Sequence, residues 1–236
     1  WNFGTGALGD MGCHLIDIPF KALGLKYPTD VECSIGTVFT KMWSADYYPE
    51  GCPPSSSVSL HFDATEKNNG PIQMTWSDGG IRPFHPDLLP ADVSIEDNGV
   101  IMIGDKGVIT CDAYGNDPKL YRKGEPVVMG EKVKVLEPEF GHQRQWVDAC
   151  KAGFNSAEHK SLTSSFDYSG PLTETVLMGN IAIRSYMLTE EGATGRRANY
   201  IGRKKLLWDG ENMKIKNLDA ANQFVGRTYR KGWELT

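Results

Sequence analysis

The sequence predicts an α+β fold built on a mostly antiparallel β-sheet. Strand-like segments rich in β-branched and aromatic residues are grouped between residues 31 and 129. Helical patterns precede and follow this group instead of alternating with its strands. Such segregation of strands and helices is typical of α+β architectures. We expect a single domain over residues 1–236.

The composition favours a folded protein whose partners are small molecules or other proteins. Of the 236 residues, 40% are apolar and 10% are aromatic, which is enough material for a large core. The formal net charge of −5 argues against a nucleic-acid-binding protein, which normally needs a basic face. No run approaches about 18 consecutive apolar residues, so no membrane span is expected. The five cysteines are widely spaced, which argues against a disulfide framework.

The first predicted elements are a helix and three strands. The helix is expected over residues 10–23, with Gly24 at its end. The strands are expected over residues 31–39, 58–64 and 72–77. Apolar and polar residues alternate in the second of these strands, which predicts a sheet with one apolar face. The apolar members of this alternation are Val58, Leu60 and Phe62.

A second group of strands follows a proline-rich loop over residues 81–92. Strands over residues 99–103 and 108–111 flank the sequence Gly104-Asp105-Lys106-Gly107, which is a strong hairpin signal. Weaker strand candidates lie at residues 120–122 and 127–129.

The last third of the chain is predicted to contain two helices and a mixed tail. One helix is expected over residues 143–152, and a longer one over residues 171–188 with Pro171 in its first turn. The longer helix has an apolar stripe formed by Leu172, Val176, Ile183 and Met187. Gly179 lies on this stripe, which predicts close packing against the sheet. Short elements are expected around residues 206–208, 213–215 and 230–235.

The segment Gly4-Thr5-Gly6-Ala7-Leu8-Gly9 fits the glycine pattern of dinucleotide-binding loops. Three observations argue against a cofactor site there. No apolar strand precedes the first glycine, and the next strand carries acidic residues at its start, whereas the ribose-binding carboxylate belongs at the far end. Asp10 would also place a negative charge beside the phosphates. We therefore predict a flexible or tight entry into the first helix and no cofactor-binding residue.

Asp10, His14 and Asp17 form the best candidate for chemistry in the sequence. Offsets of four and seven residues place the three side chains within about 60° on one face of a helix. Asp10 is expected at or beside the N-cap, where helix N–H groups stabilise a carboxylate. His14 follows one turn later, close enough for this carboxylate to orient an imidazole that acts as a general base.

Two other interpretations of this helix face remain open from spacing alone. Asp10 and His14 fit a capping carboxylate and an ordinary polar histidine equally well. Asp10, His14 and Asp17 together also fit a facial set of metal ligands, although such sites usually take ligands from several elements. We predict no metal ligand.

Several segments resemble one known enzyme family. They are Trp1 to Asp17, Trp76-Ser77-Asp78-Gly79-Gly80, Phe166 to Glu174, Gly179-Asn180-Ile181-Ala182 and Tyr229-Arg230-Lys231-Gly232-Trp233. The first segment closely resembles the start of the C-terminal domain of Gfo/Idh/MocA oxidoreductases (the glucose-fructose oxidoreductase and inositol dehydrogenase family). That domain begins with a glycine-rich turn, then Asp, three residues, His, two residues and Asp. The resemblance covers nearly the whole chain.

The resemblance implies a substrate-binding and oligomerisation domain from a larger enzyme. In the family this α+β domain has a large open sheet with helices packed on one face. A Rossmann domain precedes it and binds NAD or NADP, and no counterpart of that domain is recognised in residues 1–236. The implied reaction is hydride transfer between nicotinamide and a hydroxyl-bearing carbon of a sugar, polyol or related compound. The chain alone is therefore expected to be inactive and to form a homo-oligomer through the open sheet face.

The resemblance assigns roles to individual residues. It makes His14 the catalytic general acid/base and Asp10 its partner, while Asp17 is expected to cap or pair within the fold. Trp76 and Arg82 flank the Asp78-Gly79-Gly80 turn and are candidates to line a sugar pocket by stacking and hydrogen bonding. The alternative is that Trp76 is an aromatic residue at a strand end and Arg82 is a solvated side chain.

Two rival functions remain open, namely an NAD-dependent glycoside-cleaving relative and a non-catalytic carbohydrate-binding or assembly domain. The sequence does not predict the substrate, the choice between NAD and NADP, or the compartment. Because the chain opens at Trp1 without an initiator methionine, we expect any targeting segment to lie upstream.

Overall fold

A computed structural model describes residues 1–46, 48–130, 141–190 and 198–234. The fold is α+β, with two antiparallel sheets and few helices. The helices are α1 Gly6–Leu15, α2 Asp17–Leu23, α3 Gly141–Ala152, α4 Ala157–Lys160 and α5 Phe166–Ser185, followed by a 3₁₀ helix Asp219–Phe224. The strands are β1 Asp30–Ile35, β2 Ser56–Phe62, β3 Ile72–Ser77, β4 Gly99–Ile103, β5 Val108–Asp112, β6 Lys119–Tyr121, β7 Val128–Met129, β8 Leu206–Asp209 and β9 Lys214–Ile215.

The larger sheet has five strands in the order β3-β2-β1-β8-β9 and one buried apolar face. Val58, Leu60 and Phe62 of β2 are all buried, which confirms the alternation predicted from the sequence. Helix α5 packs against β1 and β2 on this face. The apolar stripe of α5 is buried there as well, so the main core lies between one helix and one sheet.

The opposite face of the five-stranded sheet is polar. Alternation along the paired strands puts Glu32, Ser59 and Thr75 in one row across this face. In the neighbouring row the Nδ1 atom of His61 lies 2.6 Å from Oδ1 of Asp30. The face left open is therefore hydrophilic, and the predicted homo-oligomer through this face stays a prediction.

The strands form two sheets, whereas the sequence predicts one large sheet. Strands β4, β5, β6 and β7 make a separate antiparallel sheet in that order. The connection between β3 and β4 contains Pro83, Pro86 and Pro90, which lack the N–H group needed to continue a ladder. The predicted hairpin is confirmed, because the N–H of Gly104 donates to the carbonyl of Gly107 at 2.9 Å.

The predicted first helix is two helices that meet at Ile16. Helix α1 starts at Gly6, four residues earlier than expected, and α2 ends at Gly24, which has φ of +64°. Pro19 lies in α2 and has no N–H to donate to the carbonyl four residues before it. This missing hydrogen bond explains why the helix is interrupted between residues 15 and 17.

The predicted long helix starts five residues earlier than expected, and Pro171 is therefore inside α5 rather than in its first turn. Only one backbone hydrogen bond is lost to a proline near a helix start, and the helix continues to Ser185. Strands β8 and β9 confirm the short elements around residues 206–208 and 213–215, while residues 230–234 form no helix or strand and residue 235 lies outside the described residues.

None of the helices in the described ranges is both long and apolar enough to cross a membrane.

Gly179 allows close packing at the centre of the core, as predicted. A Cβ atom at this position would lie 2.4 Å from Cδ2 of Leu8 and 3.3 Å from Cγ1 of Val58. Gly179→Ala is therefore expected to destabilise the protein by about 1–3 kcal/mol, the usual cost of overpacking a core. Chemical denaturation measures this change.

Gly170→Ala provides the matched control in the same helix. A Cβ atom at Gly170 meets nothing within 4 Å, so the alanine is expected to be neutral or to stabilise α5 by up to about 1 kcal/mol. Equal stabilities of the two variants would contradict the close contact at Gly179.

Candidate functional site

The candidate site lies on the outer face of α1. Leu8 and Gly12 are buried on the inner face, where α1 packs on α5. Asp10 and His14 lie on the exposed face, four residues apart, so their side chains are neighbours on the helix surface. The packing of the inner face therefore sets the direction in which both polar side chains project.

Asp10 is not an N-cap, which corrects the prediction from the sequence. Thr5 occupies the N-cap position of α1, and Asp10 follows in the interior of the helix, with no acidic residue in the first turn. The carboxylate of Asp10 is thus not used to satisfy helix N–H groups. Along the exposed face, His14 lies one helical turn after Asp10.

His14 and Asp10 make no side-chain hydrogen bond or ion pair within the described ranges of the chain. Both are exposed, so the imidazole nitrogens and the carboxylate oxygens are accessible from solvent. An accessible imidazole beside a carboxylate can accept a proton from a bound hydroxyl group and be stabilised when protonated. Proton transfer is the chemistry that this pair supports.

Tyr114 is a third member of the site and was missed in the sequence analysis. Its ring contacts His14 edge-to-face, with centroids 5.6 Å apart and an interplanar angle of 72°. Tyr114 is 68% exposed, and His14 is exposed beside it. A signal in the sequence was available, because the Asp-Ala-Tyr-Gly-Asn segment after a predicted strand is typical of a turn.

The turn that carries Tyr114 is held by Asp112. Its Oδ1 accepts hydrogen bonds from the backbone N–H of Tyr114 at 2.9 Å and of Asn116 at 2.7 Å, and its Oδ2 accepts one from Nδ2 of Asn116 at 3.0 Å. These bonds, above all those from Asn116, lower the pKa of Asp112. The carboxylate is therefore charged at neutral pH and keeps the turn closed.

Asp17 has a structural partner instead of joining Asp10 and His14. Its Oδ1 accepts a hydrogen bond from the hydroxyl of Tyr168 in α5. Burial, the hydrogen bond to Asp17 and the charge of Asp17 raise the pKa of Tyr168. Asp17 thus links α2 to α5, in agreement with a pairing role within the fold. The described residues contain no cluster of three or more potential metal ligands.

Trp76 and Arg82 are each held by hydrogen bonds to residues other than Asp10 and His14. Trp76 is buried in the core, and its Nε1 donates to Oδ2 of Asp78 at 2.7 Å. Nη1 of Arg82 donates to Oδ1 of Asp97 at 2.7 Å, and its Nη2 donates to backbone carbonyls of residues 95 and 96. The structure does not bring either residue to His14, and their predicted role in sugar binding stays a prediction.

Local packing explains the glycine-rich segment at the start of α1. No strand precedes α1 in residues 1–5, and Gly6 starts the helix with φ of +70°. A Cβ at Gly6 would lie 2.8 Å from Sγ of Cys52, and one at Gly9 would overlap the side chain of Thr5. These glycines are explained by packing around the start of α1, and the absence of a cofactor-binding residue stays a prediction.

Neither a scan against protein-family models nor a search of curated proteins finds a match to this chain.

The pair formed by Tyr168 and Asp17 gives a prediction for stability. Tyr168→Phe is expected to cost about 1.5 kcal/mol at pH 7, since it removes a hydrogen bond to a charged acceptor. The folded state holds the pKa of Tyr168 above its usual value of 10, so the unfolded chain loses this proton first. The stability that this hydrogen bond contributes is therefore complete below pH 10 and declines at higher pH.

Urea unfolding of wild type and Tyr168→Phe between pH 7 and pH 11 measures this difference. The gap between the two proteins should narrow above pH 10. Tyr27→Phe, at a half-exposed position, is the control and should give no such trend. A gap that stays constant with pH would show that the Tyr168 hydroxyl titrates normally.

Proposed function

We propose that this chain is the substrate-binding and proton-transferring domain of an NAD(P)-dependent oxidoreductase of the Gfo/Idh/MocA type. The substrate class is a sugar, a polyol or a related hydroxyl compound. One observation carries the proposal: Asp10 and His14 project together from a firmly packed helix, with Tyr114 beside the imidazole. Buried positions of α1 explain its packing, but they give no reason for this exposed pair.

His14 acts on the hydroxyl group of the substrate in this proposal. Oxidation of an alcohol to a carbonyl requires the hydroxyl proton to leave as the hydride leaves the same carbon. The imidazole of His14 accepts that proton, and the neighbouring carboxylate of Asp10 stabilises the imidazolium that forms. In the reverse direction His14 returns the proton to the carbonyl oxygen.

The cofactor would be bound by a separate nucleotide-binding domain. NAD(P) supplies the hydride acceptor when it is bound there. The exposed face of α1 supports this division, because Asp10 and His14 both project into solvent. A second domain placed over this face would exclude water and strengthen the electrostatic interaction between His14 and Asp10.

The finer fold assignment belongs to the same proposal. We propose that the five-stranded sheet, with α5 across its apolar face, is the counterpart of the helix-covered sheet in the family's C-terminal domain. The family associates through the opposite sheet face, and in this chain that face is polar. A homo-oligomer formed there would be held by hydrogen bonds and ion pairs, and light scattering at increasing salt would detect its dissociation.

Substitution of His14 tests the proton-transfer role. In the protein with its natural upstream sequence, His14→Ala is expected to lower the maximal rate by about 100-fold or more, the usual size of a general-base contribution. NAD(P) affinity should be nearly unchanged. His142→Gln, at an exposed position on α3, is the control and should keep the wild-type rate.

Asp10→Asn separates charge from shape at the same site. Because Asp10 is exposed and does not cap the helix, neither Asp10→Asn nor Asp10→Ala should change the melting temperature substantially. Both should lower turnover, since each removes the charge that stabilises protonated His14. Near-normal turnover of His14→Ala and Asp10→Asn on the physiological substrate would refute the catalytic assignment and leave this helix face a purely structural one.

A further inference from the structure

A cleft of about 610 Å³ lies at the far end of α5 from the candidate site. Its walls come from the segment after β1, from Tyr186 at the end of α5, and from the segment before β8. The volume is within the usual range for small-molecule sites, about 300–1,000 Å³. The cleft is therefore large enough to hold a small ligand.

The cleft is distinct from the α1 site. A Cβ at Gly12, half a turn before His14, would lie 3.3 Å from Cγ2 of Val176, and Tyr186 at the end of α5 follows Val176 by ten positions. Ten helical residues span about 15 Å. The cleft is therefore not in direct contact with His14.

Arg203 is the distinctive feature of the cleft. Its guanidinium carbon lies 3.5 Å from the ring centroid of Tyr200 and 4.8 Å from that of Tyr186. Stacking of this kind fixes the plane of the guanidinium and leaves the N–H groups at its edge. One of them, on Nη2, contacts Sδ of Met187 at 3.4 Å, which is a weak acceptor.

Arg203 differs from three other arginines in having no carboxylate partner among the residues that the structure describes. Arg82, Arg122 and Arg144 are each paired with an Asp or Glu side chain. The positive charge of Arg203 therefore lies at the cleft, although the protein as a whole has a formal net charge of −5. A carboxylate or phosphate from a ligand would complete the two-pronged pairing that a guanidinium makes best.

The rest of the lining selects the part of the ligand that carries this anion. Phe39 and Trp43 are 60% and 67% exposed, and both line the cleft together with aliphatic Ile35 and two tyrosines. Exposed aromatic rings around a small volume favour a flat, apolar ligand body that stacks on them. We propose that this cleft binds a small aromatic compound bearing a carboxylate or phosphate group, a function beyond the oxidoreductase activity proposed above.

Ligand-observed NMR titration of the full protein with four probes tests this proposal. Benzoate and phenyl phosphate each combine the ring with an anion, and comparing the two shows which oxyanion is preferred. Benzamide keeps the ring without the charge, and acetate keeps the charge without the ring. Benzoate or phenyl phosphate should bind at least about tenfold more tightly than benzamide and acetate, because only they use both halves of the cleft.

Variants identify the residues responsible. Arg203→Gln should weaken binding of the anionic probe about tenfold and bring it close to benzamide, while Arg203→Lys should restore part of the loss. Arg122→Gln, which removes the same charge at the position just after β6, should have no effect. Phe39→Leu should weaken binding of all ring-bearing probes, and His14→Ala should leave them unchanged.

The proposal is overturned if neither anionic probe binds at millimolar concentration, or if benzamide equals benzoate. It is also overturned if Arg203→Gln and Arg122→Gln behave alike, or if His14→Ala abolishes binding. Because Arg203 and Phe39 are exposed, these variants are expected to fold, and their melting temperatures verify it.

Discussion

The close contact of α1 with α5 over the five-stranded sheet is the constraint on which the candidate site depends. Gly179 of α5 leaves room for the side chain of Leu8, and Gly12 of α1 leaves room for Val176, so each helix provides a gap that a side chain of the other helix fills. The same point of α5 touches Val58 in β2, and three layers therefore meet there. Protein cores are packed too tightly for α1 to rotate about such a contact. Asp10 and His14 are held outward because Leu8 and Gly12 are held inward.

The second sheet is placed at the site by a different contact. Gly115, in the turn after β5, approaches Ile18 of α2, where an added Cβ would lie 3.6 Å from Cγ1. The turn itself is closed by Asp112, so Tyr114 next to Gly115 is presented to His14 by backbone geometry rather than by its own side-chain packing. Two elements far apart in sequence thus meet at one imidazole. The separation of the strands into two sheets makes this possible, since the smaller sheet lies beside the α1 and α2 helices instead of extending the larger one.

The predictions that succeeded rest on local patterns. Alternation in β2 and the Gly104–Gly107 turn are set by neighbouring residues, and Gly179 stands out within its own apolar stripe. The predictions that failed depended on single backbone hydrogen bonds or on distant contacts. The helix break follows from the missing N–H of Pro19, and Asp10 loses its capping role because α1 begins at Gly6. The contact between Tyr114 and His14 joins residues one hundred positions apart, and no periodicity in either segment encodes it.

The exposed face of α1 and the cleft around Arg203 differ in exposure and in chemistry. The α1 face presents Asp10 and His14 to solvent, whereas the cleft combines the cation of Arg203 with aromatic side chains. In the function proposed above, a second domain encloses the α1 face, whereas the proposal for the cleft requires only a ligand. Helix α5 separates them by about 15 Å, and substitutions farther apart than about 7–10 Å without shared partners usually act independently. Loss of turnover and loss of cleft binding are therefore separable properties of this chain, and neither result can stand in for the other.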